Sequence, residues 1–232
     1  HVSRLHPDGY VDSSFNIGTG LDDIVWSLGV QLDRKPIPGG RYSLVDGNDV
    51  LSASRLNADG VYDSTFAIGV GVEGDVYAVA VLPDGGIVIG GDFKKVAGEA
   101  AKNIARLNPD GTLDPTFAVG SGADKSVRDI AIQDDGKLVV VGEFGILADA
   151  SLGKVGRLNP DGSADAEFSP GMGANGIVHS VGIQQDGGII IAGEFTTING
   201  KEYPYVARLL PNGILDEEWG GLAVGINGAV FD

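Results

Sequence analysis

Arg106-Leu107-Asn108-Pro109-Asp110-Gly111 decides the fold, because versions of this stretch occur five times in the chain at a constant spacing. Successive copies begin 51 residues apart, with no insertion or deletion between them. A fixed period near 50 residues indicates one supersecondary unit that is copied in a row. The five copies begin at Arg4, Arg55, Arg106, Arg157 and Arg208.

The copy that spans residues 118–168 predicts how one unit folds. Val127–Ile132 mixes apolar and polar residues as a strand does, Lys137–Val141 is a β-branched run, and Val155–Leu158 is a third candidate strand. A turn at 159–162 leads into a short fourth strand that ends at Phe168, and no segment has a helical period. Four antiparallel strands in about 50 residues are typical of a β-propeller blade, whereas the coils of a β-solenoid are shorter, at about 20 to 30 residues.

The sequence therefore predicts an all-β chain that forms a single β-propeller domain, 1–232, from 51-residue four-stranded antiparallel blades. The repeat units span about 16–66, 67–117, 118–168 and 169–219, and an incomplete fifth is split between 1–15 and 220–232. Two alternatives stay open. The ring closes with five blades, with Ala229–Phe231 in the shared blade, or the chain is an arc of a larger propeller. Asp33–Gly39 departs from the pattern, so the first unit is expected to be irregular.

Two sets of residues recur with the period and are interpreted as structural. An arginine is followed eight residues later by an aspartate in every copy, as in Arg55 and Asp63, which predicts a clamp across the turn. An aromatic residue closes each unit and is expected to fill the wedge between neighbouring blades. These aromatic residues are Phe15, Phe66, Phe117, Phe168 and Trp219.

The segments 105–117 and 127–142 together resemble the delta-sixty repeat, a bacterial β-propeller-like repeat, and 193–200 is similar to its strand-end motif. The resemblance covers nearly the whole chain. It implies an extracellular or cell-surface bacterial protein with adhesin-like neighbouring modules. The family has no established catalytic residues, so none is transferred to this chain.

Composition excludes several classes of function. The formal net charge of −16 argues against nucleic acid or an anionic membrane as partner, because both would be repelled. A chain without cysteine has no disulfide, no thiol catalysis and no cysteine-ligated zinc. No apolar run approaches the roughly 20 residues that span a bilayer, so membrane insertion is not expected. Calcium or a cationic surface stays as the alternative interpretation of the acidic charge.

The sequence contains no motif of an enzyme, and we expect no catalytic residues, no metal site and no cofactor. Catalytic triads, zinc-protease, phosphate-loop and EF-hand patterns are all missing. Asp46-Gly47-Asn48-Asp49 lacks the spacing and the closing glutamate of a calcium loop and is interpreted as a surface turn, which leaves structural calcium as a minor alternative. Paired carboxylates on different blades are the one enzymatic alternative, and no pair stands out.

Three acidic–aromatic pairs are the candidate ligand-binding residues. Each pair follows the glycine that ends the second strand, and equivalent positions of a propeller lie on one face. Arg41 breaks the acidic series in the first unit. The pairs are either strand ends with core rings, or a series of sites for a sugar or a cation. They are Asp92 and Phe93, Glu143 and Phe144, and Glu194 and Phe195.

The function predicted from these observations is a non-catalytic extracellular interaction or adhesion module. A protein or a cell-surface glycan would be bound through the blade loops, of which the connections 43–52, 94–103, 145–154 and 196–205 differ most. One alternative is a multivalent lectin with a weak site on each blade. Another is a structural subunit of an extracellular fibre that self-associates through open blade edges.

Overall fold

Eighteen β-strands form the regular structure of residues 2–219 and 228–230, which are the residues that this computed structural model of the chain describes. No helix occurs in that part of the chain, so none is present there that could cross a membrane. The prediction of an all-β fold is confirmed. The chain divides into two compact units, residues 1–114 and residues 115–232, and each is described by itself.

The first unit holds an N-terminal part-repeat and two repeats. The first repeat contains β1 (Ile24–Val30), β2 (Pro36–Arg41), β3 (Leu44–Val45) and β4 (Asn48–Asp49). The second contains β5 (Val72–Val81), β6 (Ile87–Val96), β7 (Glu99–Ala100) and β8 (Ile104–Leu107).

The second unit holds the next two repeats. The third repeat contains β9 (Val127–Ile132), β10 (Leu138–Gly142), β11 (Ile146–Leu147), β12 (Ala150–Ser151) and β13 (Val155–Leu158). The fourth contains β14 (Val178–Ile183), β15 (Ile189–Gly193), β16 (Thr197–Ile198), β17 (Lys201–Glu202) and β18 (Val206–Leu209).

In the second, third and fourth repeats the second strand is central in its sheet. β6 pairs with β5 and β8, β10 with β9 and β13, and β15 with β14 and β18, always antiparallel. The central strands are the most apolar, and every residue of β10 is buried. The predicted fourth strand is present only as a single bridge in each repeat, such as that between Leu158 and Ala164, because the chain turns again directly afterwards.

The first repeat is irregular, as its sequence indicates. β2 pairs with β1, but its other edge forms only one bridge, between Gly39 and Ala53. Pro36 and Pro38 have no backbone N–H to donate to a third strand. Their carbonyls still accept hydrogen bonds from Leu56 N and Ser54 N, at 2.8 and 3.4 Å.

The ten-residue connections between second and third strands are short β-hairpins rather than open loops. In the first repeat β3 pairs with β4 around Asp46 and Gly47, whose φ values are 48° and 75°. Two successive positive φ values define the tight turn whose twist matches a hairpin. The equivalent turns lie at 97–98, 148–149 and 199–200. The candidate calcium segment Asp46–Asp49 is therefore part of a hairpin, as the interpretation as a surface turn expected.

A seam of four groups joins successive repeats within each unit. Arg55 Nε lies 2.8 Å from Asp63 Oδ2, and Arg55 Nη1 donates to Pro109 O of the next repeat at 2.7 Å. The guanidinium carbon lies 4.7 Å from the centroid of Phe66, a cation–π distance. Arg157 repeats this arrangement in the second unit with Asp165 (2.7 Å), the carbonyl of Pro211 and Phe168. The predicted clamp is confirmed, and it also holds neighbouring repeats together.

The closing aromatic residues pack against the turn of the following repeat. A Cβ atom on Gly111 would lie 2.7 Å from Phe66 Cδ2, and one on Gly162 would lie 2.7 Å from Phe117 Cδ2. Only glycine permits such a close approach, and Gly111 also has a φ of 94°. The predicted packing of these rings between repeats is confirmed for Phe66, Phe117 and Phe168, which are all buried.

Most of the predicted fifth unit at the C-terminus lies outside the described residues, including Phe231 of the proposed closing strand. Val230 N donates a hydrogen bond to Gly193 O at 3.2 Å. The number of blades and the closure of the ring stay predictions.

Candidate functional site

A β-bulge occurs at the same place in all four described repeats. The register between the first and second strands skips one residue in each sheet, for example from Val127 opposite Gly142 to Asp129 opposite Val141. Two residues of the first strand then face one residue of the second, and this bulge bends the strand locally, which aims the side chain of the extra residue out of the ladder. We call these four residues the bulge row: Trp26, Tyr77, Arg128 and His179.

The acidic residues of the candidate site lie beside the bulge row. Arg128 forms an ion pair with Glu143, and His179 Nε2 lies 2.9 Å from Glu194 Oε1. In the first repeat Arg41 takes the acidic position, and its guanidinium carbon lies 5.8 Å from the Trp26 ring centroid. The structure therefore brings a side chain from the bulge row and one from the end of the second strand together in three of the repeats.

The electrostatics of the Arg128–Glu143 pair follow from partial burial. Burial alone would raise the pKa of the Glu143 carboxyl, but the hydrogen bond and the charge of Arg128 outweigh it and lower the pKa. Glu143 is therefore an anion at neutral pH. Asp92, the equivalent residue of the second repeat, is exposed.

Phe93, Phe144 and Phe195 are placed differently from their acidic neighbours. All three rings are fully buried, and Phe93 and Phe195 lie in the hydrophobic cores of their own units. A buried ring has no face for a sugar to stack on, so these positions fit the core interpretation of the sequence. Asp92, Glu143 and Glu194 stay predictions as ligand-binding residues.

The hairpins are fixed to the same edge of the sheets as the bulge row. The backbone N–H of the first turn residue donates to the glycine that begins each repeat, from Asp46 to Gly20 O at 2.8 Å and from Ala148 to Gly122 O at 2.9 Å. Carboxylate or amide oxygens tie the other end, as Asp124 Oδ1 accepts from Gly145 N and Ile146 N. The hairpins are thus rigid supports beside the bulge row. The bulge row, the residues facing it and the hairpins together form what we call the bulge face of each unit.

Sequence reasoning missed the bulge row because it assigned these residues to ordinary strands. A signal was available: Arg128 and Asp129 are two polar residues in succession inside Val127–Ile132, which breaks the alternation of a regular strand. Asp129 then faces the next repeat, where its Oδ2 accepts a hydrogen bond from Val181 N at 2.9 Å. Only Arg128, the extra residue, is turned toward Glu143.

Among residues 2–219 and 228–230, no three histidine or acidic side chains lie together as metal ligands would. Pockets of about 270 and 440 Å³ lie in the first unit. The smaller pocket touches the bulge face through Arg41 and is lined also by Asp23 and Asp75.

Comparison with known families identifies the repeat. Residues 82–117, 133–168 and 184–218 match the family described as "Domain of unknown function (DUF5122) beta-propeller". Each of these segments is similar to a β-propeller repeat. Each DUF5122 match begins at or near the turn after the first strand and ends at or next to the closing aromatic residue. The matches confirm the predicted propeller repeat, without assigning it to the delta-sixty family.

Solved structures that are similar to the chain share little sequence with it. A protein of unknown function from Bacteroides caccae is 14% identical with a TM-score of 0.35, and the match covers 82% of this chain and 79% of that one. PorZ, a bacterial surface component of the type-IX secretion system of Porphyromonas gingivalis, is 14% identical with a TM-score of 0.48. That match covers 81% of this chain but only 27% of PorZ. No curated protein matches the chain.

Proposed function

We propose that the chain is a non-catalytic binding module of the bacterial cell surface or extracellular space, and that it recognises a partner through the bulge face. The partner is a protein or a cell-surface glycan. One observation carries the proposal: a bulge of the same geometry holds an indole, a phenol, a guanidinium and an imidazole in four successive repeats.

The contrast with the seams makes this variation informative. Arginine, aspartate, an aromatic ring and glycine recur at the seam positions, because the packing there requires those groups. At the bulge row the backbone is repeated and the side chains are not. A rigid scaffold that carries different side chains at equivalent positions is the usual construction of a recognition surface.

The electrostatics of the chain favour a neutral or cationic partner surface. The net charge of −16 repels nucleic acids and anionic membranes over distances of about 10 Å at ordinary salt. Exposed Asp92 and Glu194 add negative charge to the bulge face. The absence of catalytic motifs from the sequence supports a role in binding rather than in catalysis.

Retention of the labelled chain on intact bacterial and epithelial cells tests the proposal. A variant with Arg128→Ala, Glu143→Ala, His179→Ala and Glu194→Ala removes two pairs from the bulge face and leaves no charge of either pair unbalanced. The matched control, Asp134→Ala with Gln185→Ala, changes exposed residues in the turns at the opposite end of the same strands. We expect the first variant to lose retention and the control to keep it. Equal retention of the control, of the first variant and of the first variant with Trp26→Ala added would refute the proposal.

A second candidate function, assembly with further repeats, has its own support. In the first unit Val79 and Val81 pack onto β1 so closely that a Cβ atom on Gly29 would lie 2.8 Å from each. The equivalent residues of the first repeat, Leu28 and Val30, are 47% and 53% exposed. For Gly182, the residue of the fourth repeat that corresponds to Gly29, no atom of the described residues 2–219 and 228–230 lies within 4 Å of such a Cβ. The exposed face with Leu28 and Val30 and the space beside Gly182 would each accommodate a further repeat.

Light scattering over a concentration series, with small-angle X-ray scattering, tests this assembly. If the exposed faces pair between molecules, the mass rises with concentration, and Leu28→Lys keeps the chain monomeric. Ser64→Lys, which adds the same charge at an exposed position of the closing turn, is the control. A constant mass of 23.8 kDa at all concentrations would contradict assembly.

A further inference from the structure

The first unit contains an aromatic pair on its bulge face, of which Trp26 is exposed and Tyr77 is half-buried. The ring centroids of Trp26 and Tyr77 are 4.9 Å apart, and the ring planes meet at 68°. This edge-to-face contact leaves 40% of Trp26 exposed. An indole and a phenol combine a large apolar surface with a polar edge, which is why such rings are common where a ligand is partly wet.

Hydrogen-bonding groups surround the two rings. Arg41 lies over the Trp26 ring and binds Asp23 Oδ2 through Nε at 3.2 Å. The Tyr77 hydroxyl donates to Asp75 Oδ2 at 3.2 Å. A guanidinium and two carboxylates can each bind neighbouring hydroxyl groups of a ligand through two atoms at once, which makes such contacts directional.

A pocket of about 270 Å³ lies beside the polar partners of this aromatic pair. Arg41, which lies over Trp26, and Asp75, which accepts from the Tyr77 hydroxyl, both line it. Its volume is close to the lower end of the range of small-ligand sites, about 300 Å³. The polar groups that contact the two rings therefore also form walls of a recess.

The charges around the rings select the chemical class of the ligand. Asp22, Asp23 and Asp75 line the pocket and repel an anion. Arg41 already occupies the cation position over Trp26, so a cationic ligand could not take that place on the ring. A neutral molecule with an apolar face and a rim of hydroxyl groups meets neither obstacle. A pyranose sugar has that shape, because its C–H face covers an aromatic ring while its hydroxyls bind the carboxylates and the guanidinium.

We propose that the Trp26–Tyr77 surface, with Arg41, Asp23 and Asp75, binds a neutral pyranose oligosaccharide. The inference rests on the proposed function and names the partner class for the first unit. The second unit differs, because its bulge-row residues Arg128 and His179 are paired with Glu143 and Glu194. This site also differs from the sugar platforms that the sequence suggested at Phe93, Phe144 and Phe195, whose rings are buried.

Tryptophan fluorescence tests the site directly, since the chain has two tryptophans and Trp219→Phe leaves Trp26 as the only indole. Phenylalanine stands at the positions equivalent to Trp219 in the other repeats, so this background is expected to fold. An array of neutral pyranose oligosaccharides is screened first, and the strongest binder is then titrated while the Trp26 emission is recorded.

The expected result is a saturable change of the emission. Tyr77→Ala and Asp75→Asn should each weaken binding by about tenfold or more, and Tyr10→Ala, which removes a distant exposed ring, should leave it unchanged. Thermal melts confirm that each variant is folded. Calorimetry on Trp26→Ala in the otherwise native chain is the second readout, and binding there should fall at least tenfold.

Failure of the inference is distinguishable from failure of the proposed function. If no oligosaccharide binds, or if Trp26→Ala binds as tightly as the native chain, the sugar site is refuted. If an arginine- and lysine-rich peptide shifts the Trp26 emission instead, the site is refuted as a sugar site while the bulge face stands as a protein-binding surface. If the bulge-face variant of the second unit also keeps full retention on cells, the proposed function fails as well.

Discussion

Arg55 and Asp63 form a buried ion pair across a turn, with Nε and Oδ2 2.8 Å apart and less than a tenth of either side chain exposed. Lys35 Nζ reaches the same carboxylate oxygen at 2.9 Å, and Thr65 donates to the other oxygen. Every acceptor of Asp63 is therefore used inside the protein. The pair is part of the seam, in which Arg55 also donates a hydrogen bond to the next repeat.

Removing the buried arginine is expected to cost more stability than removing its exposed equivalent. Arg55→Ala leaves Asp63 buried with Lys35 as its one remaining cation, so the free energy of unfolding should fall by about 3 kcal/mol. Arg4→Ala removes the same pair at a site where the arginine side chain is 40% exposed, and should cost about 1 kcal/mol or less. Urea unfolding of both variants measures the difference. Equal losses would contradict the burial argument.

The turn glycines separate backbone strain from packing. Gly9 and Gly111 have φ values of 86° and 94° in equivalent turns, but only Gly111 is covered by an aromatic ring. Gly9→Ala should therefore cost about 1 kcal/mol from backbone strain alone. Gly111→Ala adds a clash with Phe66 and should cost at least about 1 kcal/mol more. Thermal melts of the two variants check this, and an equal shift would refute the packing of Phe66 on that turn.

The seam aspartates make stability sensitive to acid. Burial would raise the pKa of Asp63, but hydrogen bonds from Thr65, Lys35 and Arg55 lower it well below its usual range. Hydrogen bonds from Ser14, with a smaller part from Arg4, lower the pKa of Asp12 to about 2. A lowered carboxyl pKa stabilises the fold above the unfolded value of about 3.9, and this stability is lost as the pH falls through the folded value.

The urea midpoint should therefore stay level between about pH 7 and pH 5 and fall below about pH 4. Asp63→Asn should reduce the stability at neutral pH and flatten the decline in acid. A series of urea titrations from pH 7 to pH 2 measures both. A midpoint that does not change down to pH 2 would show that these carboxylates gain nothing from folding.

The aromatic and the acidic positions of the candidate pairs are expected to contribute differently to stability. Phe144→Ala removes a fully buried ring and should lower the free energy of unfolding by about 3–5 kcal/mol. Asp92→Asn, at the exposed acidic position of the second repeat, should change it by less than about 0.5 kcal/mol. Urea unfolding of both variants measures these changes and decides whether the Phe144 ring is a core residue or a binding platform. A small loss for Phe144→Ala would restore the ring as a candidate binding surface.

Chelation tests the alternative of structural calcium. The hairpin at Asp46–Asp49 is closed by its own backbone, and Asp46 Oδ1 accepts from Thr19 N at 2.9 Å. We therefore expect excess EDTA to leave the melting temperature unchanged. A drop of many degrees that calcium reverses would reveal a structural ion.

The repeated parts of the structure were predictable because they follow from the period. Arg55, Asp63, Phe66 and Gly111 recur in register, and their pairing and packing need only a turn between adjacent strands. The all-β class and the three main strands of a regular repeat follow from the same pattern. The irregular ladder of β2 was also readable, since proline has no N–H to donate.

Local geometry at the bulge face was less predictable. A bulge shifts the register by one residue, and a strand pattern counted in steps of two assigns Trp26 and Arg128 to the wrong side. The hairpins were treated only as variable connections, although Asp46-Gly47 and Asn199-Gly200 are pairs typical of a tight hairpin turn. Ala148 and Asp149 carry no such signal, yet both have positive φ values.

Hydroxyl-radical footprinting of the chain on intact cells tests the central claim, that the bulge face is the binding surface, most directly. Indole, phenol and imidazole side chains are oxidised readily, so Trp26, Tyr77 and His179 report on three of the four bulges. We predict that all three are protected when the chain is bound, while exposed Tyr10 and Leu32, which lie elsewhere, are oxidised as in free solution. Unchanged oxidation of Trp26 and His179 together with protection of Tyr10 or Leu32 would contradict the account.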